Sequence, residues 1–505
     1  MKRRVWLILA LALLALPALP LLPLLIAVTE NSITATQGKD KPTDRITRVS
    51  DRITRIENGL LPAVIIKDQA MAMTIADRMK YYKVPGVSVA VINDGKIEWA
   101  KGYGVTEAGS TTPVTAGTMF QAASISKPVA AMAALALVEK GLLSLDEEVN
   151  VKLKSWKVPD NDFTKEQKVT LRRLASHSAG LTVHGFRGYA ANEAVPTTVQ
   201  VLEGQKPANS APVRVDILPG SKWRYSGGGI TVMQLLMADV TGKQFPALAR
   251  ELVLDKIGMK NSTYEQPLPA DKSAQATTGH RGNGEMIKGK WHTYPEMAAA
   301  GLWTTPTDLA KFAVELQQAK AGKSSKVLSQ AMANQMLKKQ SGDYGLGIGL
   351  GSESGTAAFG HGGSNEGFRC MMFAYAETGQ GAVVMTNGDQ GSPLANEILR
   401  SIAREYGWPD YKPAERAVAK VSPELFKAYA GEYEVNGKIT ITTENGKLYV
   451  QPPGQQKSEL FASSETEYFL VTDNVRIVFI KDAQGAVNEL TAHFGGRSLN
   501  GKRIK

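Results

Sequence analysis

A serine and a lysine three residues apart are the first pair in this chain that could do chemistry. Ser124 and Lys127 lie in residues 121–127, Gln-Ala-Ala-Ser-Ile-Ser-Lys, directly before an alanine-rich run. Residues i and i+3 share a helix face with Cβ atoms about 5–6 Å apart, so the lysine amine can reach the serine hydroxyl. A free hydroxyl is a weak nucleophile until such a base draws off its proton. The spacing predicts an activated serine, although it also fits an ordinary solvated pair at a helix start.

The local sequence places this pair at the beginning of a helix. Pro128 has no backbone N–H and is tolerated in the first helical turn, and residues 129–140 read as helix before Gly141, a residue type common at helix ends. Ser124 is then expected at or just before the N-terminus of the helix, where unpaired N–H groups and the helix dipole favour negative charge. That position suits an acyl intermediate that passes through an oxyanion.

Two further segments combine polar residues with glycines. Residues 223–229, Trp-Arg-Tyr-Ser-Gly-Gly-Gly, form a turn before a helical stretch, and residues 359–368, Phe-Gly-His-Gly-Gly-Ser-Asn-Glu-Gly-Phe, precede two strand-like runs. In hydrolases with a Ser-x-x-Lys motif, a second loop supplies a tyrosine or serine, and a strand supplies a Lys/His-x-Gly triplet. Tyr225 and His361 occupy these two places.

With these three motifs the chain resembles the family that unites class C β-lactamases, D-alanyl-D-alanine carboxypeptidases, D-aminopeptidases and related esterases, also called peptidase family S12. Residues 85–92, 174–181 and 300–310 are similar to segments that lie between the motifs, and the likeness covers about residues 70–410 in the right order. The resemblance implies an acyl-enzyme mechanism that needs no metal or organic cofactor.

The resemblance also implies a role for each motif residue. Ser124 would accept the acyl group, Lys127 would activate it, and Tyr225 would relay protons to and from the leaving group. A free lysine titrates near 10.4, so Lys127 must be partly desolvated, or held near another cation, to act as a base at neutral pH. By family analogy the backbone N–H groups of Ser124 and Ser364 form the oxyanion hole, and such donors are worth roughly 10²–10³ in rate.

Departures within the motifs bear on the substrate. His361 stands where β-lactamases of the family usually carry lysine, which favours an esterase or peptidase over a dedicated β-lactamase. Gly362 and Gly363 are expected to keep side chains off the strand so that a substrate backbone can approach. The second motif usually reads Tyr-x-Asn, and here Tyr225 is followed by serine and glycine, so Ser226 or water is left to replace the amide in substrate binding.

Other classes of protein find little support. His177 is interpreted as a hydrogen-bonded structural histidine, and His184, His280 and His292 lack the spacing of metal ligands, so no metal site is expected. The chain has no P-loop and no Gly-x-Ser-x-Gly elbow. The net charge is +11 without a block of Lys and Arg, so no nucleic-acid partner is expected. The positive net charge fits either a mild attraction to peptidoglycan fragments or an ordinary basic surface.

The N-terminus predicts export. Lys2, Arg3 and Arg4 precede an apolar run over residues 5–28, as in the charged region and hydrophobic core of an export signal. The run is also long enough for a membrane span. Residues 1–35 are therefore interpreted as a signal peptide or an N-terminal membrane anchor, and residues 36–68 as a tether. We expect a periplasmic or extracytoplasmic protein, with anchoring to the inner membrane as the alternative.

The hydrophobic patterns predict two folded domains. Alternating runs joined by Asn93-Asp94-Gly95, and a second pair after residue 368, predict hairpins that bracket a helical middle. This is the α+β arrangement of the family, an antiparallel sheet flanked by helices plus a helical subdomain, over residues 69–411. Residues 421–505 predict a small all-β domain, a sandwich or a barrel similar to the lipocalin-like domain of some relatives. Its predicted strands are 431–435, 439–442, 447–450, 467–471 and 476–480.

These features predict an exported serine hydrolase that forms an acyl-enzyme on Ser124 and cleaves a small ester, an amide or a D-amino-acid-containing peptide. The expected partner is a small-molecule or peptide substrate. Two alternatives are a catalytically idle penicillin-binding or scaffold protein and a weak class C-type β-lactamase. His361 and the missing asparagine favour ester hydrolysis over β-lactam hydrolysis.

Overall fold

The structure is a computed structural model that describes residues 42–505, apart from residues 70, 72, 454, 455 and 495. The predicted export segment, residues 1–35, and residues 36–41 of the predicted tether lie outside the described residues. Within the described part of the chain, no helix combines the length and the apolar composition that a membrane crossing needs.

The part of the described chain that precedes β11 is built on an antiparallel sheet. The strands of the described chain are β1 (Val64–Ile66), β2 (Gly86–Asn93), β3 (Lys96–Gly104), β4 (Phe120–Gln121), β5 (Trp303–Thr304), β6 (Gly349–Leu350), β7 (Ala358–Asn365), β8 (Phe368–Tyr375), β9 (Gly381–Thr386), β10 (Ala414–Arg416), β11 (Gly431–Glu434), β12 (Lys438–Glu444), β13 (Lys447–Gln451), β14 (Ser458–Ala462), β15 (Glu467–Phe469), β16 (Arg476–Lys481), β17 (Val487–Phe494) and β18 (Arg497–Arg503). Six of them pair in the order β3-β2-β9-β8-β7-β6. Asp94 and Gly95 both have positive φ, which suits the tight turn between β2 and β3.

Helices cover both faces of this sheet. The helices of the described chain are α1 (Pro42–Glu57), α2 (Ile75–Tyr82), α3 (Ser126–Glu139), α4 (Val149–Lys152), α5 (Asp162–Glu166), α6 (Leu171–Ala175), α7 (Thr198–Glu203), α8 (Gly227–Thr241), α9 (Phe245–Ala249), α10 (Asp255–Ile257), α11 (Ala270–Ser273), α12 (Met297–Ala300), α13 (Pro306–Lys320), α14 (Gln330–Met336), α15 (Gly391–Glu405) and α16 (Phe426–Tyr429). Val87, Val89 and Val91 of β2 pack with α2 and α15, whereas Ala90 and Ile92 pack in a second core with α3 and α8. The predicted α+β fold is confirmed.

The alanine-rich helix α3 is the centre of the larger core. It is apolar on all sides, and residues 126–137 are buried, as expected of a helix enclosed by other elements. The helix begins at Ser126, earlier than the predicted start at residue 129, and Pro128 lies in its first turn. A 3₁₀ turn, Ala123–Ile125, precedes it and carries Ser124.

The C-terminal residues form a closed barrel. Strands β11 to β18 pair in chain order, and β18 closes on β11. The predicted strands correspond to β11, β12, β13, β15 and β16, and the barrel also contains β14, β17 and β18. The barrel contacts the preceding part of the chain at two points: Val64 N–H donates to the Val471 carbonyl, and the side-chain amide of Gln456 donates to the Tyr81 carbonyl in α2. The second of these contacts is made to α2, which packs on the face of the sheet opposite α3.

Candidate active site

The candidate nucleophile lies in a strained turn before α3. Ser124 is half-buried, and the residue before it, Ala123, has φ 48°, in the left-handed region that side chains disfavour. This conformation costs about 1–2 kcal/mol. The turn is held by Ser126, whose Oγ donates to the Ala123 carbonyl at 2.5 Å and accepts from Leu302 N–H at 3.0 Å. The hydroxyl of Ser124 is thereby fixed at the N-terminus of α3.

Lys127 lies one turn further along, and its amine contacts the serine. Its Nζ donates to Ser124 Oγ at 2.8 Å and to the Ala299 carbonyl at 2.7 Å. Only 2% of Lys127 is exposed, and this burial lowers its pKa to about 7. At neutral pH a large fraction of the amine is therefore uncharged. In that state Nζ can keep one hydrogen on the Ala299 carbonyl and offer its lone pair to the hydroxyl of Ser124.

Tyr225 lies beside this pair, immediately before α8. Lys127 Nζ is 4.9 Å from the centre of the Tyr225 ring. Burial raises the pKa of Tyr225 to about 12, and a hydrogen bond with Ser124 partly opposes that rise. The phenol keeps its proton at neutral pH and can donate it, whereas Lys127 can accept one. At neutral pH the site thus holds one group that can donate a proton and one that can accept it.

Ser226 does not replace the missing amide, contrary to the expectation from sequence. It is the N-cap of α8: its Oγ accepts from Gly229 N–H at 2.9 Å and donates to the Thr182 carbonyl at 2.7 Å. Only 3% of the residue is exposed. Its hydroxyl is therefore engaged by the helix start and by the Thr182 carbonyl.

His361 reaches the same cleft from β7. The ring centres of His361 and Tyr225 are 6.0 Å apart. Nδ1 of His361 lies 2.6 Å from the Gly362 carbonyl, which can only accept, so Nδ1 carries the hydrogen and Nε2 accepts from the Tyr344 hydroxyl at 2.9 Å. Burial, with a contribution from nearby Lys127, lowers the pKa of His361 to about 3. The imidazole is neutral at physiological pH, and both of its nitrogens are occupied.

The two glycines that follow His361 have different surroundings. A Cβ on Gly363 would lie 2.3 Å from the Ala122 carbonyl oxygen, so this glycine lets β7 approach the turn that carries Ser124. A Cβ on Gly362 would meet nothing closer than 3.7 Å. The expected role of both glycines was to make room for substrate, and at Gly363 the room is taken by the protein itself.

The strand β7 presents a free edge beside the site. Strand β6 pairs only with residues 359 and 360, so within the described part of the chain residues 361–365 have no strand partner on that side. Ser364 lies in this stretch and is exposed, while Asn365 is buried and donates from Nδ2 to Gln121 Oε1 at 2.8 Å. An extended acyl donor could pair with such an edge.

Three residues of the site carry no signal in motif spacing. Ala299 contributes only a backbone carbonyl, so nothing in its side chain marks it. Tyr344 lies outside the three motifs, and its hydroxyl contacts His361 Nε2 only in the folded chain. His177 accepts a hydrogen bond at Nδ1 from Ser226 N–H at 3.1 Å, as its structural interpretation expects, and its ring centre lies 4.3 Å from that of Tyr225.

Among the described residues, no group of three or more His, Cys, Asp and Glu is placed to hold a metal ion.

The fold and motifs match a known family. Residues 71–406 match the family described as Beta-lactamase. The chain belongs to the beta-lactamase family. As a member of this family the protein is a serine hydrolase with a penicillin-binding-protein-like fold. Residues 415–503 match a domain of unknown function, DUF3471, and contain the barrel β11–β18.

Relatives of this family member include both binding proteins and enzymes. A penicillin-binding protein of Bacillus subtilis is 24% identical over 426 residues, which cover 78% of this chain and 89% of the relative. Esterase EstB of Burkholderia gladioli is 26% identical over 220 residues, 41% of this chain and 53% of the esterase. Among solved structures, the octameric penicillin-binding protein homologue from Pyrococcus abyssi has a TM-score of 0.58 at 21% identity, covering 85% of this chain and 98% of that one.

Proposed function

We propose that this serine hydrolase is exported, forms an acyl-enzyme on Ser124 and cleaves a small ester, an amide or a D-amino-acid-containing peptide, with esters hydrolysed faster than β-lactams. The observation that carries the proposal is the contact of 2.8 Å between Lys127 Nζ and Ser124 Oγ, made by an amine whose pKa is lowered to about 7. A catalytically idle relative would not need a buried lysine in this state. Burying an amine without a charged partner is costly, so its retention favours a working base.

Acylation can be followed atom by atom. Uncharged Lys127 takes the proton of the Ser124 hydroxyl while Oγ attacks the substrate carbonyl carbon. The carbonyl oxygen becomes an oxyanion, for which we propose the backbone N–H groups of Ser124 and Ser364 as donors. Tyr225 then gives its phenolic proton to the leaving oxygen, and it regains a proton from Lys127. Water takes the place of the leaving group and releases the acyl group by the reverse sequence.

The surroundings of His361 support preference for an ester over a β-lactam. β-Lactams carry a carboxylate that needs a cation or a free donor, and the neutral His361 ring has both nitrogens engaged by Gly362 and Tyr344. The second motif contributes no amide, because Ser226 is engaged by the start of α8. The relatives include an esterase, EstB, and a penicillin-binding protein, so both ester and β-lactam substrates are compared in the test below.

Export and an extracytoplasmic location remain part of the proposal. Their support is the Lys2-Arg3-Arg4 start and the apolar run over residues 5–28. Peptidoglycan fragments are then within reach as substrates, and the same run could anchor the protein in the inner membrane. Cell fractionation with an antibody to the barrel would place the mature chain in the periplasm or the membrane, and recovery from the cytosol would contradict export.

The function is tested by labelling and by rates. A fluorophosphonate should add one covalent mass to the wild-type protein and none to the Ser124→Ala variant, as read by intact-protein mass spectrometry. Steady-state rates should be higher on p-nitrophenyl esters than on nitrocefin. No adduct on the wild type would favour an idle penicillin-binding or scaffold protein, and faster turnover of nitrocefin would favour a weak β-lactamase.

A further inference from the structure

Aromatic rings surround the leaving-group side of the site. The ring centre of Tyr225 lies 4.9 Å from that of His184 and 6.3 Å from that of Trp223. Tyr344 adds a further ring, with its centre 6.3 Å from that of Trp223. We call Trp223, His184, Tyr225 and Tyr344 the aromatic wall. Because Tyr225 is the proposed proton donor to the leaving oxygen, a leaving group would lie against this wall.

Trp223 is an exposed member of the wall. Trp223 is 44% exposed, whereas Trp99, Trp303 and Trp408 are at least nine-tenths buried. The indole is a large apolar surface, so an aromatic group that covered Trp223 would gain contact area with it. On its other side the indole packs against Gly342, where a Cβ would lie 3.2 Å from Trp223 Cγ. The ring is therefore held in place rather than free to swing.

The rings of the wall other than His184 offer no charge to a ligand. Both nitrogens of His361 are engaged, and its pKa is lowered to about 3. Tyr344 and Tyr225 are phenols whose pKa burial raises, so both are uncharged at neutral pH. Lys127 is 2% exposed, and its amine is engaged by Ser124 Oγ and the Ala299 carbonyl. A flat, uncharged ring would gain stacking contacts with these rings.

From this geometry we infer that the aromatic wall is a subsite for an uncharged aryl leaving group, with Trp223 as the residue that determines this specificity. The inference rests on the proposed function, since it names the substrate class of the same site: aryl esters in preference to alkyl esters. Trp223 stacks on the departing ring and holds its oxygen near the Tyr225 hydroxyl, so that the aryl group is bound while the ester bond breaks.

Two acetate esters test this subsite, because both pass through the same acetyl-enzyme. The value of kcat/KM is measured on phenyl acetate and on trifluoroethyl acetate for the wild type and for Trp223→Ala, Trp223→Phe and Phe163→Ala. Phe163 is the matched control: it is 41% exposed and belongs to α5, outside the wall. We expect Trp223→Ala to lower kcat/KM on phenyl acetate about tenfold, with little change on trifluoroethyl acetate. Trp223→Phe should restore most of the loss, and Phe163→Ala should change neither ester.

The outcomes separate this inference from the proposed function. If Trp223→Ala lowers both esters equally, the indole has only a structural role and the subsite is disproved. If phenyl acetate is hydrolysed equally well without the indole, the subsite is likewise disproved, while the esterase proposal stands. If the wild type hydrolyses neither ester and gains no fluorophosphonate adduct, the proposed function fails first and the subsite fails with it.

Discussion

The two glycines after His361 give the sharpest test of how the site is assembled. A Cβ on Gly363 would lie 2.3 Å from the Ala122 carbonyl oxygen, and the atom it meets is backbone that cannot rotate away. Carbon and oxygen approach comfortably at about 3.3 Å, so Gly363→Ala must push β7 and the Ser124 turn apart by roughly 1 Å. A displacement of this size at a catalytic centre costs about 10²-fold in rate. The same substitution at Gly362 meets nothing closer than 3.7 Å.

We therefore expect Gly363→Ala to lower kcat/KM on p-nitrophenyl acetate about 100-fold and stability by about 1–3 kcal/mol. Gly362→Ala is the matched control and should stay within about threefold of the wild type. Thermal unfolding followed by circular dichroism separates a displaced strand from an unfolded protein, and fluorophosphonate labelling reports on Ser124 directly. Equal activity of the two variants would refute the argument that Gly363 is needed for contact between β7 and the turn.

Three further predictions concern single groups. The acylation rate should rise with pH through about 7, as Lys127 loses its proton, and should then stay level until the pH approaches the pKa of Tyr225, about 12. A pH profile measured by rapid mixing checks this. Lys127→Arg should be inactive at every pH. Glu296 is fully buried with no hydrogen-bond partner for its carboxylate among the described residues, and burial raises its pKa from 4.5 to about 8. Between these two pKa values the folded state holds a proton that the unfolded state releases, so the free energy of unfolding falls as the pH rises from about 4.5 to 8. Glu296→Gln has no such proton to lose. Between pH 5 and pH 9 its free energy of unfolding, measured by denaturant titration, should therefore rise by up to roughly 4 kcal/mol relative to that of the wild type. Ser226→Ala should cost about 1 kcal/mol of stability through the lost cap and leave the ratio of ester to nitrocefin rates unchanged.

The local parts of the site were predictable because short-range geometry controls them. Spacing alone predicts the contact between Ser124 and Lys127, since three residues on a helix bring two side chains together whatever surrounds them. The hairpin at Asp94-Gly95 follows in the same way from residues that tolerate positive φ. That Tyr225 and His361 lie near this pair was predicted only from the family resemblance. They are far from Ser124 along the chain, so no rule of local geometry brings them together.

Contacts made by backbone or by distant segments were not predictable. The Ala299 carbonyl that holds Lys127 has no side-chain signature, and Tyr344 reaches His361 only because β6 and β7 pair. Ser226 was expected at the substrate because it follows Tyr225, yet its position as N-cap of α8 decides its contacts. In the barrel, β17 mixes inward apolar residues with polar ones, so its pattern was too weak to recognise before the closed pairing was known.

What fills the place of the missing asparagine is informative about activity. A Cβ on Gly227 would lie 3.0 Å from Phe186 Cε2 and 3.1 Å from the His184 carbonyl oxygen, so a longer amide side chain would require residues 184–186 to move. The same residues bring the His184 ring to 4.9 Å from Tyr225 and complete the aromatic wall. The amide and this wall therefore compete for one space. The absence of the asparagine therefore goes together with a different surface facing the proposed leaving group. An inactive site would not need the hydrogen bond between Lys127 and Ser124, which is present here.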